Sequence, residues 1–215
     1  MATTLTYLVT NAVILPQTQL QEIFVHAINE TFNMTSVDTD TSTNDMALLI
    51  STAKNGVKLS SQDDKKKFLA LLKRACCELC KMIATDGEGA TKLIEVTVKG
   101  AATASDARAV AMQVVNSPLV KTAIHGADPN WGRVIAAAGK NPKVKLNPDK
   151  FDLYFDTTKI LHKGQAMEFD RDQLKIQLRK NKIFINIHLN LGKFEATAWG
   201  CDLTKGYIEI NTCYN

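Results

Sequence analysis

The stretch Ser60–Val98, SSQDDKKKFLALLKRACCELCKMIATDGEGATKLIEVTV, indicates the fold class because it joins a helical pattern to a strand pattern. Apolar residues recur at helical spacing from Phe68 to Ile83, after serines that can cap a helix. A glycine-bracketed loop, Asp86–Gly89, comes next. The segment Leu93–Val98 is then aliphatic and β-branched, which is typical of a strand. A long amphipathic helix followed by a strand predicts a mixed α/β fold.

Toward the N-terminus the same two patterns alternate. Thr4–Ile14 predicts a buried strand that stops before Pro16, and apolar spacing predicts a helix from Pro16 onward. A short strand is predicted over Met46–Ala53. In the C-terminal direction, helices are predicted around Ser105–Val115 and Trp131–Ala138.

Beyond Asn141-Pro142 the chain becomes richer in strand patterns. One amphipathic segment, Asp170–Arg179, accompanies three segments that alternate like half-buried strands, Phe151–Phe155, Ile183–Leu189 and Glu195–Trp199. We predict an α/β (α+β mixed) sandwich, and not a Rossmann fold, since the G-x-G-x-x-G pattern is absent. An α/β front, residues 1–140, would precede a β-richer C-terminal part, residues 141–215.

Composition and charge exclude several classes of protein. With 215 residues, 45% hydrophobic and 22% charged, the chain can bury a core. The net charge of +4 is scattered, and Lys65–Lys67 follows Asp63-Asp64 at a helix start, so nucleic-acid binding is not expected. No stretch approaches the ~20 apolar residues of a membrane span, and no basic region typical of a signal peptide precedes Glu22.

The cysteines predict core packing in a reducing, cytoplasmic setting. Three of the five, Cys76, Cys77 and Cys80, lie in the apolar helical run, unlike a secreted disulfide framework. Cys77 and Cys80 form a C-x-x-C without a second pair at zinc spacing. We therefore expect no metal site.

Four segments could carry chemistry, each with a structural alternative. A threonine such as Thr3, ahead of a strand, becomes a nucleophile if the preceding peptide bond is cut, because its own α-amine can act as the base. The acidic segment Ser36–Asp45 could present carboxylates or form self-satisfied turns. The glycines around Glu88 could project its carboxylate toward an ammonium group or form a plain turn. The loop Gly126–Arg133 could serve a ligand or cap a helix, and His125 beside it is more simply a surface or packing residue.

Several long motifs, taken together in order, resemble one family. The opening MATTLTYLVTNA is similar to the cleavage junction of the ornithine acetyltransferases, also called bifunctional glutamate N-acetyltransferases. The resemblance runs almost to the end of the chain through SVDTDTSTND, DGEGATKLIEVTVKGA, SPLVKTAIHGADPNWGR and WGCDLTKGYIEIN. It identifies the chain as the C-terminal (β) half of such a protein.

The resemblance implies an acyltransferase of arginine biosynthesis. Its precursor would cut itself before Thr3, the catalytic nucleophile, which would carry the acetyl group of N-acetylornithine to glutamate by a ping-pong mechanism. Glu88 and Asn211 would bind substrate. An α chain from the same precursor would supply a lysine and the oxyanion-hole donors, forming an αβ heterodimer that pairs into a heterotetramer. No metal or organic cofactor is implied, although acetyl-CoA is a possible second donor.

Three departures from the family pattern accompany this expectation. Met1-Ala2 still precede Thr3, Thr39 stands where the family usually has glycine, and the family's closing Thr or Ser would fall beyond Asn215. Two alternatives to the transferase stay open. One is an N-terminal-nucleophile amidohydrolase with water as the acceptor, and the other is a non-catalytic binding subunit.

Overall fold

The computed structural model describes residues 4–11 and 13–213 of the chain. Its strands are β1 Leu5–Thr10, β2 Val13–Ile14, β3 Met46–Ser51, β4 Val57–Lys58, β5 Leu93–Ala101, β6 Asp152–Phe155, β7 Thr158–His162, β8 Gln165–Ala166, β9 Lys182–His188 and β10 Phe194–Cys201. Its α-helices are α1 Gln17–Glu30, α2 Gln62–Thr85, α3 Ala104–Val115, α4 Pro118–His125, α5 Trp131–Ala138, α6 Arg171–Leu178 and α7 Lys205–Thr212. Short 3₁₀ turns span Phe32–Met34 and Pro148–Lys150.

A mixed six-stranded sheet in the order β10-β5-β9-β6-β7-β8 forms the centre of the fold. Strand β5 pairs antiparallel with β10 and parallel with β9. A strand from residues 1–140 is therefore hydrogen-bonded on both edges to strands from residues 141–215. The two parts contribute to one sheet, and the division between them stays a prediction from the sequence.

Helices cover both faces of the β5–β10 pair. On one face, a Cβ at Gly200 would lie 3.2 Å from Val115 of α3, so the missing side chain lets that helix pack closely. On the other face, Trp199 Nε1 donates to Glu95 Oε2 at 3.0 Å, and Lys81 of α2 lies 3.9 Å from the same carboxylate. This helix–sheet–helix layering confirms the predicted mixed α/β sandwich.

Helix α2 begins and packs as the sequence predicts. Ser61 caps it in a reciprocal capping box with Asp64, satisfying two backbone donors of the first turn. Its buried positions are spaced by four residues and include Cys76 and Cys80. Burial raises the pKa of these thiols to about 11 and about 12, respectively. They are packed core cysteines, whereas Cys213 is exposed.

The first strand differs in part from the prediction, because one of its two faces is not buried within this chain. Strand β1 pairs only with β3, in a two-stranded parallel sheet. Leu5, Tyr7 and Val9 on its outer side are 59%, 59% and 68% exposed. Apolar strand residues predict a buried face, but they do not specify which polypeptide buries it. Across the described ranges, no helix is long and apolar enough to cross a membrane.

Candidate active site

The predicted nucleophile, Thr3, lies outside the described residues, and Thr4 is the first position whose contacts are defined. The backbone N–H of Thr4 donates to Asp45 Oδ1 at 3.0 Å. Asp45 also accepts from the Ser42 hydroxyl at 2.7 Å, and this bond, together with the backbone donors, lowers the pKa of the Asp45 carboxyl despite the opposing effect of burial. The end of the segment Ser36–Asp45 is therefore tied to the chain immediately after Thr3.

Short polar side chains satisfy the backbone of Ser36–Asp45, as the turn interpretation predicts. Thr39 N donates to Ser36 Oγ at 3.2 Å, and Asp40 N donates to Asp38 Oδ1 at 3.0 Å. Thr39 has φ +84°, a left-handed conformation that favours glycine. The loop thus keeps the backbone shape that suits the family's usual glycine, with a β-branched residue at that position.

Glu88 and Asn211, the two predicted substrate-binding residues within the described ranges, are in direct contact. Asn211 Nδ2 donates to Glu88 Oε2 at 2.6 Å, although the residues are 123 positions apart. Asn211 lies in the last turn of α7, and its amide also donates to Tyr207 O at 2.9 Å. The carboxylate and the amide therefore form one polar group on the surface of the chain.

Glycine at position 89 lets the Glu88 loop approach α7. Gly89 has φ +65°, and a Cβ there would lie only 2.4 Å from the backbone nitrogen of Tyr207. Thr204, the residue before α7, donates its hydroxyl to Gly89 O at 2.7 Å. Glycine thus permits a close backbone approach to α7, whereas the approach to a ligand stays a prediction.

Tyr207 connects the acidic segment to the same helix. Its hydroxyl donates to Asp38 Oδ2 at 3.1 Å. Desolvation, followed by the hydrogen bond to Asp38, raises the pKa of Tyr207 and keeps the phenol protonated. The acidic segment, the Glu88 loop and α7 therefore converge at one place.

Behind this place lies a buried carboxylate, Asp202, which is 2% exposed. It accepts from Thr91 N at 2.7 Å, Thr91 Oγ1 at 2.5 Å, Lys92 N at 2.8 Å and His125 Nδ1 at 2.9 Å. Burial alone would raise the pKa of Asp202, but the hydrogen bonds from Thr91, His125 and Lys92 outweigh it and lower the pKa. The group is held as a carboxylate.

Two buried lysines join the surrounding segments through backbone carbonyls. Lys121 Nζ donates to Val37 O and to Cys201 O, both at 2.6 Å, linking the acidic segment to the end of β10. Lys92 Nζ donates to Ile124 O and Leu178 O, both at 2.7 Å, near the C-termini of α4 and α6, where helix dipoles favour a cation. Burial lowers the pKa of both ammonium groups.

An open cleft of about 740 Å³ runs along the first strand. Thr4, Tyr7, Met82 and Asp86 are among its lining residues. Glu88 and Asn211 do not line it. Within the described residues, the cleft beside Thr4 and the Glu88–Asn211 pair are therefore adjacent through the loop Asp86–Glu88, but they do not share one cavity.

Sequence reasoning missed the polar residues that support the site, namely Asp202, Tyr207 and Lys121. Lys121 gave a detectable signal, since it is the single charge in the apolar run Leu119–Ile124. Asp202 and Tyr207 lie within the motif WGCDLTKGYIEIN, but no local pattern marked either residue, because their partners, Thr91 and Asp38, are 111 and 169 positions away.

Comparison with known proteins gives consistent results along the whole chain. Residues 1–215 match the ArgJ family. The arginine biosynthesis bifunctional proteins ArgJ of Bacillus cereus and Chlorobium chlorochromatii are 42% and 44% identical to all of this chain, which spans 52% and 49% of their lengths. A crystal structure of the protein of that name from Bacillus halodurans has a TM-score of 0.92 at 40% identity, and the two chains cover each other completely.

Proposed function

The chain belongs to the ArgJ family, and from this premise we propose that it is the threonine-bearing half of an acetyltransferase of arginine biosynthesis, acting in the cytoplasm. The enzyme would transfer the acetyl group of N-acetylornithine to glutamate. The observation that carries the proposal is the 2.6 Å hydrogen bond between Asn211 and Glu88. It unites two positions that the family resemblance implies for substrate binding and that lie in distant motifs.

In the proposed reaction, Thr3 Oγ attacks the carbonyl carbon of the acetyl amide while the α-amine of Thr3 takes the hydroxyl proton. The tetrahedral oxyanion collapses, the C–N bond breaks, and the proton passes to the departing amine of ornithine. The acetyl group remains on Thr3 as an ester. The amine of glutamate then attacks this ester, giving N-acetylglutamate and restoring the hydroxyl.

The described side chains suit the binding of this donor. N-acetylornithine keeps an ammonium group at the end of its side chain, and the Glu88 carboxylate can pair with it through charge-assisted hydrogen bonds. Asn211 holds that carboxylate in a defined orientation. The oxyanion-hole donors would come from the preceding half of the precursor. The reaction as written requires no metal or organic cofactor.

We propose that the preceding half, as an α chain, packs on the outer face of the β1–β3 sheet and forms the αβ unit of a heterotetramer. Register places six apolar residues on this face, Leu5, Tyr7, Val9, Met46, Leu48 and Ile50. Parallel sheets are normally covered on both faces. The chain spans about half the length of its curated relatives.

Replacing Val9 by glutamate should therefore weaken assembly of this chain with the preceding half of the precursor. Val9→Glu is expected to weaken retention of the tagged preceding half by at least about 10-fold, because a charge would be buried without a partner. Co-purification from cells that express the full-length precursor measures it. Val25→Glu on α1 is the matched control, since Val25 is also an exposed valine, at 45%. Equal retention by both variants would contradict this placement.

The proposed activity is tested with the full-length precursor, N-acetylornithine and isotope-labelled glutamate. We expect labelled N-acetylglutamate and free ornithine in equal amounts. Acetate released at the same rate without glutamate would instead indicate the amidohydrolase, and neither product would indicate a binding subunit. Replacing the donor by acetyl-CoA in the same assay decides whether it is also used.

A further inference from the structure

Three sets of hydrogen bonds join the loop Asp86–Lys92 to the segment Asp202–Asn211. In the first set, the Asp202 carboxylate accepts from Thr91 and Lys92. In the second, the Thr204 hydroxyl donates to Gly89 O. In the third, the Asn211 amide donates to the Glu88 carboxylate. The two segments run alongside each other. Their hydrogen bonds therefore hold the Glu88 loop between a buried contact at Asp202 and an exposed contact at Asn211.

The buried hydrogen bonds at Asp202 are the strongest of the three sets. Asp202 is 2% exposed, and all four of its donors lie at 2.9 Å or less. A buried carboxylate that lost a donor would retain its desolvation cost, so the arrangement of donors is strongly favoured. Glu88 itself is only partly buried. The buried anchor of its loop is at Thr91 and Lys92, three and four residues later.

We propose that Asp202, acting through Thr91, is a positioning residue that sets the Glu88 carboxylate for substrate binding. This inference rests on the proposed role of Glu88 in binding N-acetylornithine. Asp202 does not touch the substrate. It orients the loop whose other end presents Glu88, and His125 Nδ1 contacts the same Asp202 oxygen as the Thr91 hydroxyl, at 2.9 Å.

Thr91 offers the cleanest substitution because it is exposed and its hydroxyl donates to Asp202 at 2.5 Å. Thr91→Val removes this donor at nearly constant volume, while the bonds from Thr91 N, Lys92 N and His125 remain. In the full-length precursor, we expect the KM for N-acetylornithine to rise ~10-fold with kcat changed less than ~2-fold, the size of one charged hydrogen bond. Thr91→Ser retains the hydroxyl and should restore KM to within ~2-fold of the unsubstituted enzyme.

A double-substitution cycle with Glu88→Gln separates positioning from general destabilisation. If Thr91 acts through Glu88, then Thr91→Val should raise KM less than ~2-fold in the Glu88→Gln background. A full ~10-fold effect in that background, or an unchanged KM for Thr91→Val alone, would overturn the positioning role while leaving the proposed function intact. An unsubstituted enzyme without transfer activity would overturn both.

Discussion

Replacing Thr3 by alanine in the full-length precursor is expected to abolish both chain cleavage and acetyl transfer, with turnover reduced by more than about 10³-fold. Without the hydroxyl there is no oxygen to attack the preceding peptide bond or to carry the acetyl group. Intact-mass measurement reports cleavage, and release of ornithine from N-acetylornithine reports turnover. A cut and active Thr3→Ala enzyme would exclude the proposed mechanism.

The neighbouring threonine supplies the control for this experiment. Thr4→Ala also removes one hydroxyl, but the backbone N–H of residue 4 can still donate to Asp45. The Thr4 hydroxyl lies 3.0 Å from the hydroxyl of Thr6, which is 8% exposed, so this substitution removes one partner of a partly buried hydroxyl and leaves the strand otherwise unchanged. We expect Thr4→Ala to be cut and to turn over at least ~100-fold faster than Thr3→Ala. Equal loss in both variants would point to damage of the strand start and not to a missing nucleophile.

Helices α2 and α5 could be predicted because their signals are local, whereas α4 and α7 were not predicted. Helix α2 has its capping box, Ser61 and Asp64, within four residues, and its buried stripe repeats every four. Helix α5, Trp131–Ala138, has the bounds that were expected from its apolar spacing. Each of these signals lies within one element, so no knowledge of the rest of the chain is required.

The sheet order and the burial of its strands could not be predicted in the same way. Strand β5 lies between β10 and β9, which follow it by about ninety residues, and no spacing in the sequence specifies that order. Strand β1 has the apolar composition of a buried strand, yet Val9 is 68% exposed in this chain. Composition indicates that a face is to be covered, whereas the identity of the covering surface depends on contacts outside the segment.

The same distinction between local signals and long-range contacts applies to the candidate site. Two glycines marked the Glu88 loop as a candidate, with a plain turn as the alternative, and the family resemblance implied substrate binding for both Glu88 and Asn211. Their contact depends on the close approach of Gly89 to α7, which no local pattern specifies. The buried support from Asp202 was missed, since a single aspartate after a strand does not differ in sequence from a surface aspartate. Long-range polar pairing is a property of the folded chain.

Glu88→Gln is expected to lower kcat/KM for N-acetylornithine by about 10²-fold, chiefly through KM, because a neutral amide replaces the charged partner of the substrate ammonium. The substitution is nearly isosteric. The glutamine carbonyl can still accept from Asn211 Nδ2, which now donates to Glu88 Oε2 at 2.6 Å. The fold and the α7 contact should therefore persist, and steady-state kinetics over a range of donor concentrations measures the effect.

Glu209→Gln is the matched control for charge, since Glu209 is an exposed carboxylate on the same helix as Asn211. Both substitutions remove one negative charge from this surface, so a general electrostatic effect on a cationic substrate would appear in both. If Glu88 itself recognises the substrate, the kcat/KM of the Glu209→Gln control should stay within about 2-fold of that of the unsubstituted enzyme. Similar losses in the two variants would assign the effect to the surface potential, and an unchanged KM in Glu88→Gln would remove Glu88 from the substrate site.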